Sequence, residues 1–471
     1  MVSDDFIPAT LICEDTIVAI ATPTGNGALG VVRLSGAKTR ALLQQYCQPL
    51  NQDNSEIKIN SAFPARKMVL CRIVDESGQS IDEGLVTFFI APYSYTGEDV
   101  AELSLHGNSL LLRKVIRILT VNSGVRLANA GEFTRRAFLN GKLDLTQAEA
   151  VRRLIESRSE YELIASRRAL SGSLKTIIYK FRSSLLNLKA EIEATIDFST
   201  EDLTLISREE QLKQISDLCM RVDEILEKSK TTIRLVTGYQ VALAGKPDVG
   251  KSSLLNLILG WERAIVSPQP GTTRDYLSED IQLDGIALRI VDTAGIRESE
   301  DELEAEGVKR TRKEIERSQI VLHLIDGSQH YSPTVIDVGD RNIIYVVNKT
   351  DILSPGFQLP EHLLNGEVVF ISCKTEEGVD DLKNKIRKII FSDTASHQVN
   401  DPLLMEERQI EHMQKVKTAL EKLRQLCQDD APPEIQAIEI DCALEEIGEI
   451  TGRVSTDEVL DRIFSLFCIG K

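Results

Sequence analysis

The feature that most limits what this chain can fold into is a glycine-rich octapeptide between two apolar runs. Residues 245–252 read GKPDVGKS, which matches the pattern G-x-x-x-x-G-K-[ST]. The run before it, residues 241–244, predicts a buried strand, and residues 253–259 predict a helix. Backbone N–H groups of such a loop hold phosphate oxygens, while Lys251 reaches the β- and γ-phosphates and Ser252 binds Mg²⁺. The segment therefore predicts a nucleotide-binding loop in an α/β domain.

Three further motifs each follow a predicted strand. DTAG at 292–295 supplies a carboxylate for the metal shell and a glycine amide for the γ-phosphate. NKTD at 348–351 ends in Asp351, whose carboxylate can accept from both N1–H and the exocyclic amino group of guanine, donors that adenine lacks. SCK at 372–374 can back the base with main-chain amides. Singly these motifs are weak, but in this order they predict that the chain binds GTP.

The residues that would complete the reaction are less obvious. GTTRD at 271–275 is expected to be a switch segment whose Thr273 completes the Mg²⁺ shell. The residue after DTAG is Ile296, which cannot orient water as the glutamine of Ras-like enzymes does. The water-positioning group must lie elsewhere, with candidates in the acidic stretch 298–304. The alternative for that stretch is a solvated charge run.

Composition sets limits on the rest of the chain. A length of 471 residues predicts about three domains. There is no apolar run long enough for a membrane span and no signal peptide pattern at the start, so we expect a cytoplasmic protein. The net charge of −17 argues against a broad nucleic-acid-binding surface. The scattered cysteines fit neither a disulfide framework nor a zinc site.

The flanking segments differ in their patterns. Residues 15–105 contain short β-rich runs of an α+β domain, and GNGALG at 25–30 predicts a turn because a strand-like run follows it where a dinucleotide-binding fingerprint needs a helix. Helical patterns cover 146–198, with Thr146 and Glu149 as a capping box, and a second helix follows Ser207, paired with Glu210. The helical patterns resume at 403–428, again after the two prolines at 432–433, and finally at 455–467. Either one helical domain is interrupted by the central segment or two unrelated helical domains flank it.

Together these segments resemble the MnmE (TrmE) family of tRNA-modification GTPases. The resemblance rests on GKPDVGKSS, PGTTRD, DTAGIRESEDELEAEG, NKTD and the terminal FCIGK, and on TIVAIATPTGNGALGVVRLSG, TGEDVAELSLHG and GEFTRRAFLNGKLDLTQAEAV near the start. It implies a multidomain fold. An α+β folate-binding and dimerisation domain spans 1–140, an α-helical domain spans 141–234 and 397–471, and an α/β Ras-like P-loop GTPase domain is inserted at 235–396.

The resemblance also implies an activity. Members are homodimers that hydrolyse GTP with Mg²⁺ and K⁺ and work with a flavoprotein, MnmG (GidA), in a heterotetramer-type complex. They add an aminomethyl or carboxymethylaminomethyl group to C5 of uridine 34 of certain tRNAs, using a methylene- or formyl-type tetrahydrofolate derivative. The alternative from another class is a GTP-dependent regulatory switch that recruits effectors, for example in ribosome assembly. The nucleotide motifs alone do not separate the two.

Site residues follow from the resemblance motif by motif. Those expected to bind GTP or GDP are Asp248, Val249, Gly250, Lys251, Ser252, Ser253, Ser267, Thr272, Thr273, Asp292, Thr293, Ala294, Gly295, Asn348, Lys349, Asp351, Ser372, Cys373 and Lys374. Ser252 and Thr273 would bind Mg²⁺; Asp248, Ser267, Gln269 and Thr272 would bind K⁺; Arg33, Glu98, Lys142 and Lys471 would contact folate.

Three residues are expected to be catalytic. Glu304 matches the glutamate that positions the attacking water, Lys251 acts on the phosphates, and Cys468 is a candidate thiol acting on the uridine. The sequence departs from the family at Asp248, where asparagine is usual. For Arg33 and Lys142 the alternative is solvent-facing charge near a turn.

Direct contact with RNA depends on local positive charge. The arginine pairs at 135–136, 152–153 and 167–168 could contact phosphates, although most such pairs are solvated helix faces.

Overall fold

The structure is a computed structural model that describes residues 15–50, 63–121, 124–197, 207–263, 278–292, 316–330, 342–360, 363, 366–392 and 404–470. The chain divides into two compact units. One contains residues 1–152 and 447–471, and the other contains residues 153–446. Both units contain a sheet and helices, as the predicted fold class requires.

The described part of the first unit contains a seven-stranded sheet with the order β3-β4-β5-β6-β2-β1-β7. The strands are β1 Thr16–Ile20, β2 Leu29–Ser35, β3 Cys47–Pro49, β4 Met68–Val74, β5 Ser80–Phe89, β6 Val100–His106 and β7 Val125–Leu127. All neighbours are antiparallel except β1 and β7. Because β1 and β2 pair directly, the glycine-rich segment lies between antiparallel strands as predicted, but its last two residues, Leu29 and Gly30, already belong to β2.

Helices α1 Thr39–Tyr46 and α2 Ser109–Thr120 cover one face of that sheet. On the other face, Phe133 of α3 Glu132–Leu139 packs with Ile17 and Ala19 of β1. Alternate residues of the strands face α1 and α2 and are fully buried, for example Val32 and Leu34 in β2 and Leu103 and Leu105 in β6. This period of two places the intervening residues, including Arg33, on the other face.

The remaining helices are α4 Leu145–Glu156, α5 Glu160–Leu170, α6 Ser173–Asp197, α7 Arg208–Thr237, α8 Lys251–Leu259, α9 Val379–Ser392, α10 Glu407–Gln428, α11 Pro433–Thr451 and α12 Asp457–Ser465. The helix after Ser207 begins as predicted, since the Ser207 hydroxyl accepts from the Glu210 N–H. The capping box predicted at Thr146 is wrong. Asp144 and Gln147 exchange the two capping hydrogen bonds instead, so α4 starts earlier than expected.

The described part of the second unit holds a seven-stranded sheet with the order β14-β13-β12-β8-β11-β10-β9. Its strands are β8 Tyr239–Ala244, β9 Glu262–Arg263, β10 Ser278–Leu283, β11 Ile286–Asp292, β12 Ile320–Asp326, β13 Asn342–Asn348 and β14 Glu367–Phe370. The five strands from β14 to β11 are parallel, while β10 forms an antiparallel pair with β11. Their apolar runs are buried, as expected of a parallel sheet.

This topology positions the nucleotide motifs. Parallel strands end at the same edge of a sheet, and ligands of open α/β sheets bind beyond their carboxyl ends. The residues 245–252 follow β8, Asp292 ends β11, Asn348 ends β13, and Ser372 follows β14. All four predicted motifs therefore start at one edge.

Candidate functional site

The loop after β8 requires glycine at two positions. Gly245 has φ +142° and Gly250 has φ +99°. A Cβ atom at Gly250 would come within 2.2 Å of the Asn348 side-chain nitrogen, and one at Gly245 within 2.6 Å of the Leu324 carbonyl oxygen. Both the backbone conformation and the close packing exclude a larger residue.

Lys251 lies inside this loop. It is the first residue of α8 and is 6% exposed. Its ammonium donates to the carbonyl oxygens of Gly245, at 2.8 Å, and Lys246, at 2.5 Å. Since the amino terminus of α8 carries the same positive polarity, the ammonium and helix together form a site for a phosphate group. Ser252, next in the helix, is exposed and offers the hydroxyl oxygen that a hard Mg²⁺ ion prefers.

Asn348 connects three of the motifs. Its side chain is buried at the end of β13. The amide nitrogen donates to the Val249 carbonyl oxygen at 2.9 Å, and the amide oxygen accepts from the Cys373 N–H at 3.2 Å. The phosphate loop, NKTD and SCK are thus joined through one side chain.

The Asp351 carboxylate, which is predicted to recognise the base, is oriented by a neighbouring hydroxyl. The Ser372 hydroxyl donates to Asp351 Oδ1 at 2.7 Å and itself accepts from the Lys374 and Thr375 N–H groups. The Asp351 residue is otherwise exposed. Its carboxylate orientation is therefore fixed before a nucleotide arrives, which lowers the cost of binding.

Lys349 and Cys373 have supporting roles in the same region. Lys349 adopts φ +65° and its ammonium lies 2.7 Å from Asp326 Oδ2. Burial tends to raise the pKa of Asp326, but hydrogen bonds from Lys349 and Ser328 outweigh it and lower that pKa. Burial raises the pKa of the Cys373 thiol to about 11, so the thiol is neutral at pH 7.

Asp248, where the resembling family has asparagine, lies at the exposed side of the loop with φ +61°. Aspartate and asparagine adopt this left-handed conformation more readily than other non-glycine residues. The aspartate therefore adopts this conformation at a lower cost than most residues would, and it adds a hard oxygen donor suited to an alkali cation.

Several predicted site residues lie outside the described part of the chain. They are Ser267, Gln269, Thr272, Thr273, Thr293, Ala294, Gly295, Glu304 and Lys471. Asp292 is described as the last residue of β11, where its backbone pairs with Leu243 of β8.

In the first unit, the Arg33 side chain packs against a carboxylate and two aromatic rings and does not extend into solvent. Its guanidinium binds Glu102 of β6 through Nε at 2.9 Å and Nη2 at 2.8 Å. It lies 5.7 Å from the ring centroids of both Tyr95 and Phe133, and Nη1 donates to the Gly470 carbonyl oxygen at 3.3 Å. The alternative of solvent-facing charge is thus wrong for Arg33. Sequence reasoning missed Glu102, Tyr95 and Phe133.

Glu98 lies beside the same strand. Its carboxylate accepts from the Ser35 hydroxyl at 2.6 Å and from Arg136 Nη1 at 3.1 and 3.2 Å. Ser35 and Arg33 share one face of β2 because they are two residues apart. Lys142 is exposed and donates to the Pro92 carbonyl oxygen at 3.0 Å.

The carboxyl-terminal residues reach this region. The Cys468 carbonyl oxygen accepts from the Gly131 N–H at 3.4 Å, and Ile469 forms an antiparallel bridge with Ala130. Gly470, at φ +96°, passes so close to Ile20 that a Cβ atom would lie 2.5 Å from its carbonyl oxygen. The half-exposed Cys468 thus belongs to the same unit as Arg33 and Glu98.

Two of the arginines considered for phosphate contact are paired with carboxylates instead, Arg136 in a buried position and Arg153 in a half-buried one. Arg136 is 2% exposed and binds Asp15, Glu98 and Glu132. Arg153 binds Glu406 at 2.7 Å. The expectation that these two contact RNA is wrong, because carboxylates from distant parts of the chain enclose them. The only local pattern that indicates this pairing is the i, i+4 spacing of Glu132 and Arg136, which places the two side chains on one face of α3.

Removing the Arg136 charge should destabilise the first unit by about 3–5 kcal/mol, because three carboxylates would lose a buried partner. We expect Arg136→Met to show this loss of stability in urea unfolding at pH 7. The unfolding of the first unit is monitored through the hydrogen exchange of the β1 and β2 backbone amides. As a control, Arg135→Met removes ion pairs to the largely exposed carboxylates of Asp457 and Asp461 and should cost under about 1 kcal/mol.

The same variant should have a diagnostic pH dependence. For Asp15 and Glu132 burial tends to raise the pKa, yet the hydrogen bonds from Arg126 and the charge of Arg136 lower it overall. A carboxyl with a lowered folded-state pKa stabilises the fold above its unfolded pKa, about 4, and that contribution disappears as the pH falls through the folded value. The difference between wild type and Arg136→Met should therefore shrink below about pH 4. A pH-independent difference would contradict the ion-pair account.

Comparison with known proteins adds to this geometry. A model of the MnmE helical domain matches residues 145–468, and one of the GTP-binding protein TrmE N-terminus matches residues 16–142. The tRNA modification GTPase MnmE of Leptospira biflexa is 40% identical over 470 residues, covering 97% of this chain and 100% of that protein. The protein of the same name from Aquifex aeolicus is 37% identical over 464 residues, with 97% and 100% covered.

Among solved structures, the G domain of the T. maritima FeoB iron transporter matches 32% of this chain and 98% of its own, at 24% identity and a TM-score of 0.24. Within the described ranges, none of the helices is both long and apolar enough to cross a membrane.

Proposed function

The chain belongs to the MnmE family of tRNA modification GTPases, and from that premise we propose that it hydrolyses GTP to drive modification of the wobble uridine of certain tRNAs. The added group is an aminomethyl or carboxymethylaminomethyl group at C5 of uridine 34. The observation that carries the GTPase part is the Asn348 side chain, which joins the phosphate loop to the base-recognition motifs.

The residues of the nucleotide site have separate roles in this proposal. Asp351 selects guanine, and Lys251 exchanges its bonds to loop carbonyls for bonds to the β- and γ-phosphates. Ser252 and Thr273 would hold Mg²⁺, which neutralises charge on the phosphates when bound. Glu304 positions the attacking water, replacing the glutamine that Ile296 cannot supply.

Turnover assays on the purified protein test the GTPase proposal. We expect hydrolysis of GTP and no measurable turnover of ATP at the same concentration. Equal turnover of the two nucleotides would contradict the assignment of Asp351.

We expect K⁺ to stimulate hydrolysis through ligands at Asp248, Ser267, Gln269 and Thr272. A cation there stabilises charge that develops on the phosphates. The Asp248 carboxylate suits K⁺ but adds negative charge beside them, so Asp248→Asn should keep the stimulation and change the K⁺ concentration needed for half of it. The measurement is GTP turnover titrated with KCl against NaCl. Identical turnover of the wild type in both salts, with K⁺ dependence appearing in Asp248→Asn, would show that the aspartate abolishes the site.

The first unit is proposed to supply the one-carbon unit. Arg33, Glu98, Lys142 and Lys471 would bind a tetrahydrofolate derivative of the formyl or methylene type. Support comes from the two aromatic rings beside Arg33 and from the orientation of Glu98, since a heteroaromatic ring with N–H donors needs flat apolar contacts and a carboxylate acceptor. A regulatory switch that only recruited effectors would have no use for this cluster.

Cys468 is proposed to act on the uridine from the end of the chain. Its neighbours hold it in the unit that contains Arg33. We expect Cys468→Ser to abolish tRNA modification while GTP turnover stays within about twofold of wild type, measured by nucleoside mass spectrometry and phosphate release. Normal modification by this variant would remove the assignment.

The assembly completes the proposal. A dimerisation domain at 1–140, a helical domain at 141–234 and 397–471 and a GTPase domain at 235–396 would form a cytoplasmic homodimer. That dimer would act with the flavoprotein MnmG and with tRNA.

A further inference from the structure

The positive charge of this acidic chain is unevenly distributed. Residues 163–190 contain Arg167, Arg168, Lys175, Lys180, Arg182 and Lys189 and no aspartate or glutamate. At the average frequency of 72 acidic residues in 471, such a stretch would hold about four. Five of the six cations lie between residues 167 and 182, which we call the basic tip.

The basic tip is the end of a helical hairpin. It comprises the last turn of α5, the turn at Gly172 and the first half of α6. The hydroxyls of Ser171 and Ser173 both donate to the Arg168 carbonyl oxygen at 2.7 Å, which fixes the turn. The surface is therefore ordered rather than a loose loop.

The buried side of α6 is separate from these charges. Leu174, Ile178, Phe181 and Leu185 recur at three- and four-residue spacing and are fully or almost fully buried. Arg167 and Lys180 are exposed, and Lys175 is half-buried, with its ammonium 5.6 Å from the Tyr179 ring centroid. Within the described part of the chain, Arg167, Lys175 and Lys180 have no carboxylate partner.

Helix stability does not explain all of these cations. Arg167 and Arg168 lie in the last turn of α5, where positive charge offsets the helix dipole. Lys175 lies in the first turn of α6, where positive charge adds to the dipole's positive end and is unfavourable. A surface that combines a helix amino terminus with unneutralised cations is suited to binding phosphates.

We propose that the basic tip binds the phosphate backbone of tRNA. The inference rests on the proposed function, which makes tRNA the substrate, and adds the surface that contacts it. A lipid headgroup is a poorer match, since the exposed residues of this part of α6 are Thr176, Lys180 and Ser183, and amphipathic membrane helices need an apolar exposed face. Because the chain carries a net charge of −17, RNA contact requires a local basic surface of this kind.

Fluorescence anisotropy of the full-length protein tests the assignment. The probe is a labelled tRNA transcript with uridine at position 34, titrated at 50, 100 and 200 mM KCl. We expect the triple variant Arg167→Gln, Lys175→Gln, Lys180→Gln to bind at least tenfold more weakly at 100 mM KCl. The slope of log affinity against log salt concentration should become shallower by about 2. Each lost phosphate contact reduces that slope by about 0.7–0.9, and the triple variant removes three contacts.

A matched control removes the same charge elsewhere. Arg113, Lys114 and Arg117 are exposed on α2, and their triple glutamine variant should stay within twofold of wild type. GTP turnover of both variants should be unchanged, which shows that they are folded. Equal losses in the two triples, an unaffected tip variant, or no binding by the wild type in the micromolar range would each overturn the proposal.

Two further arms separate the alternatives. If the tip variant loses binding to vesicles of anionic phosphatidylglycerol and keeps tRNA affinity, the surface binds lipid and the proposal is wrong. Another outcome is that cells that carry only the tip variant keep normal modification of the wobble uridine while the purified variant keeps its tRNA affinity. In that case the assignment of the basic tip as a tRNA-binding surface is wrong, and the proposed function stands. Unmodified uridine 34 in cells lacking the whole protein is the separate readout for that function.

Discussion

Replacing Asp351 with asparagine will lower the affinity for GTP by about 100- to 1000-fold and create affinity for xanthosine triphosphate. In the proposed binding mode the carboxylate accepts two hydrogen bonds from guanine, and charge-assisted bonds contribute about 1.5–3 kcal/mol each. Asparagine presents an N–H₂ group toward the amino group of guanine, so one contact becomes repulsive. Xanthine has a carbonyl oxygen at that position, which accepts from the new donor.

The surroundings of Asp351 allow asparagine to replace it without disturbing the neighbouring hydrogen bond. The Ser372 hydroxyl that binds Oδ1 can equally donate to the asparagine oxygen, so the orientation of the side chain is kept. Binding of fluorescent GTP and xanthosine triphosphate analogues measures the switch. Asp380→Asn, at a side chain that is 93% exposed, is the matched control and should leave both affinities unchanged. Unaltered GTP affinity in Asp351→Asn would mean that the base is recognised elsewhere.

Replacing Lys251 with alanine will reduce kcat/KM for GTP by about 100- to 1000-fold. Removing one preorganised donor from charge developing in a transition state costs about 2.7–4 kcal/mol. Lys251 is buried within the loop, where its ammonium donates to the Gly245 carbonyl oxygen, so water cannot replace it well. The effect should exceed that of any other single lysine.

Lys246 provides the control for that experiment, because it lies in the same loop, is exposed and contributes its carbonyl oxygen to Lys251. Lys246→Ala should retain turnover within about threefold of wild type. Single-turnover hydrolysis at saturating and subsaturating GTP separates binding from chemistry. Comparable losses in the two variants would indicate damage to the loop rather than loss of a phosphate contact.

The edge-of-sheet arrangement could be predicted from the sequence because it depends on local rules. Each motif follows a buried apolar run, and the ends of parallel strands meet at one edge. The same reasoning found the β-rich character of residues 15–105 and the glycine-rich connection between β1 and β2, but not the short strands β3 and β7. The start of α4 was misplaced because Asp144 and Thr146 are both residues that cap helices and only packing decides between them.

The contacts that complete each site could not be read from local pattern. Arg33 binds the carbonyl oxygen of Gly470, 437 positions away, and Asn348 reaches Val249 across 99 positions. Periodicity carries no information about such pairs. Arg136 looked like surface charge for the same reason, because the carboxylates that bury it come from separate segments of the chain.

Nucleoside mass spectrometry of tRNA tests the central claim most directly. Cells lacking this protein should contain unmodified uridine at position 34 of the affected tRNAs. Expression of the wild-type chain should restore the modification, and the Lys251→Ala variant should not. Wobble uridines that remain fully modified in the absence of the protein would contradict the account and favour a regulatory switch.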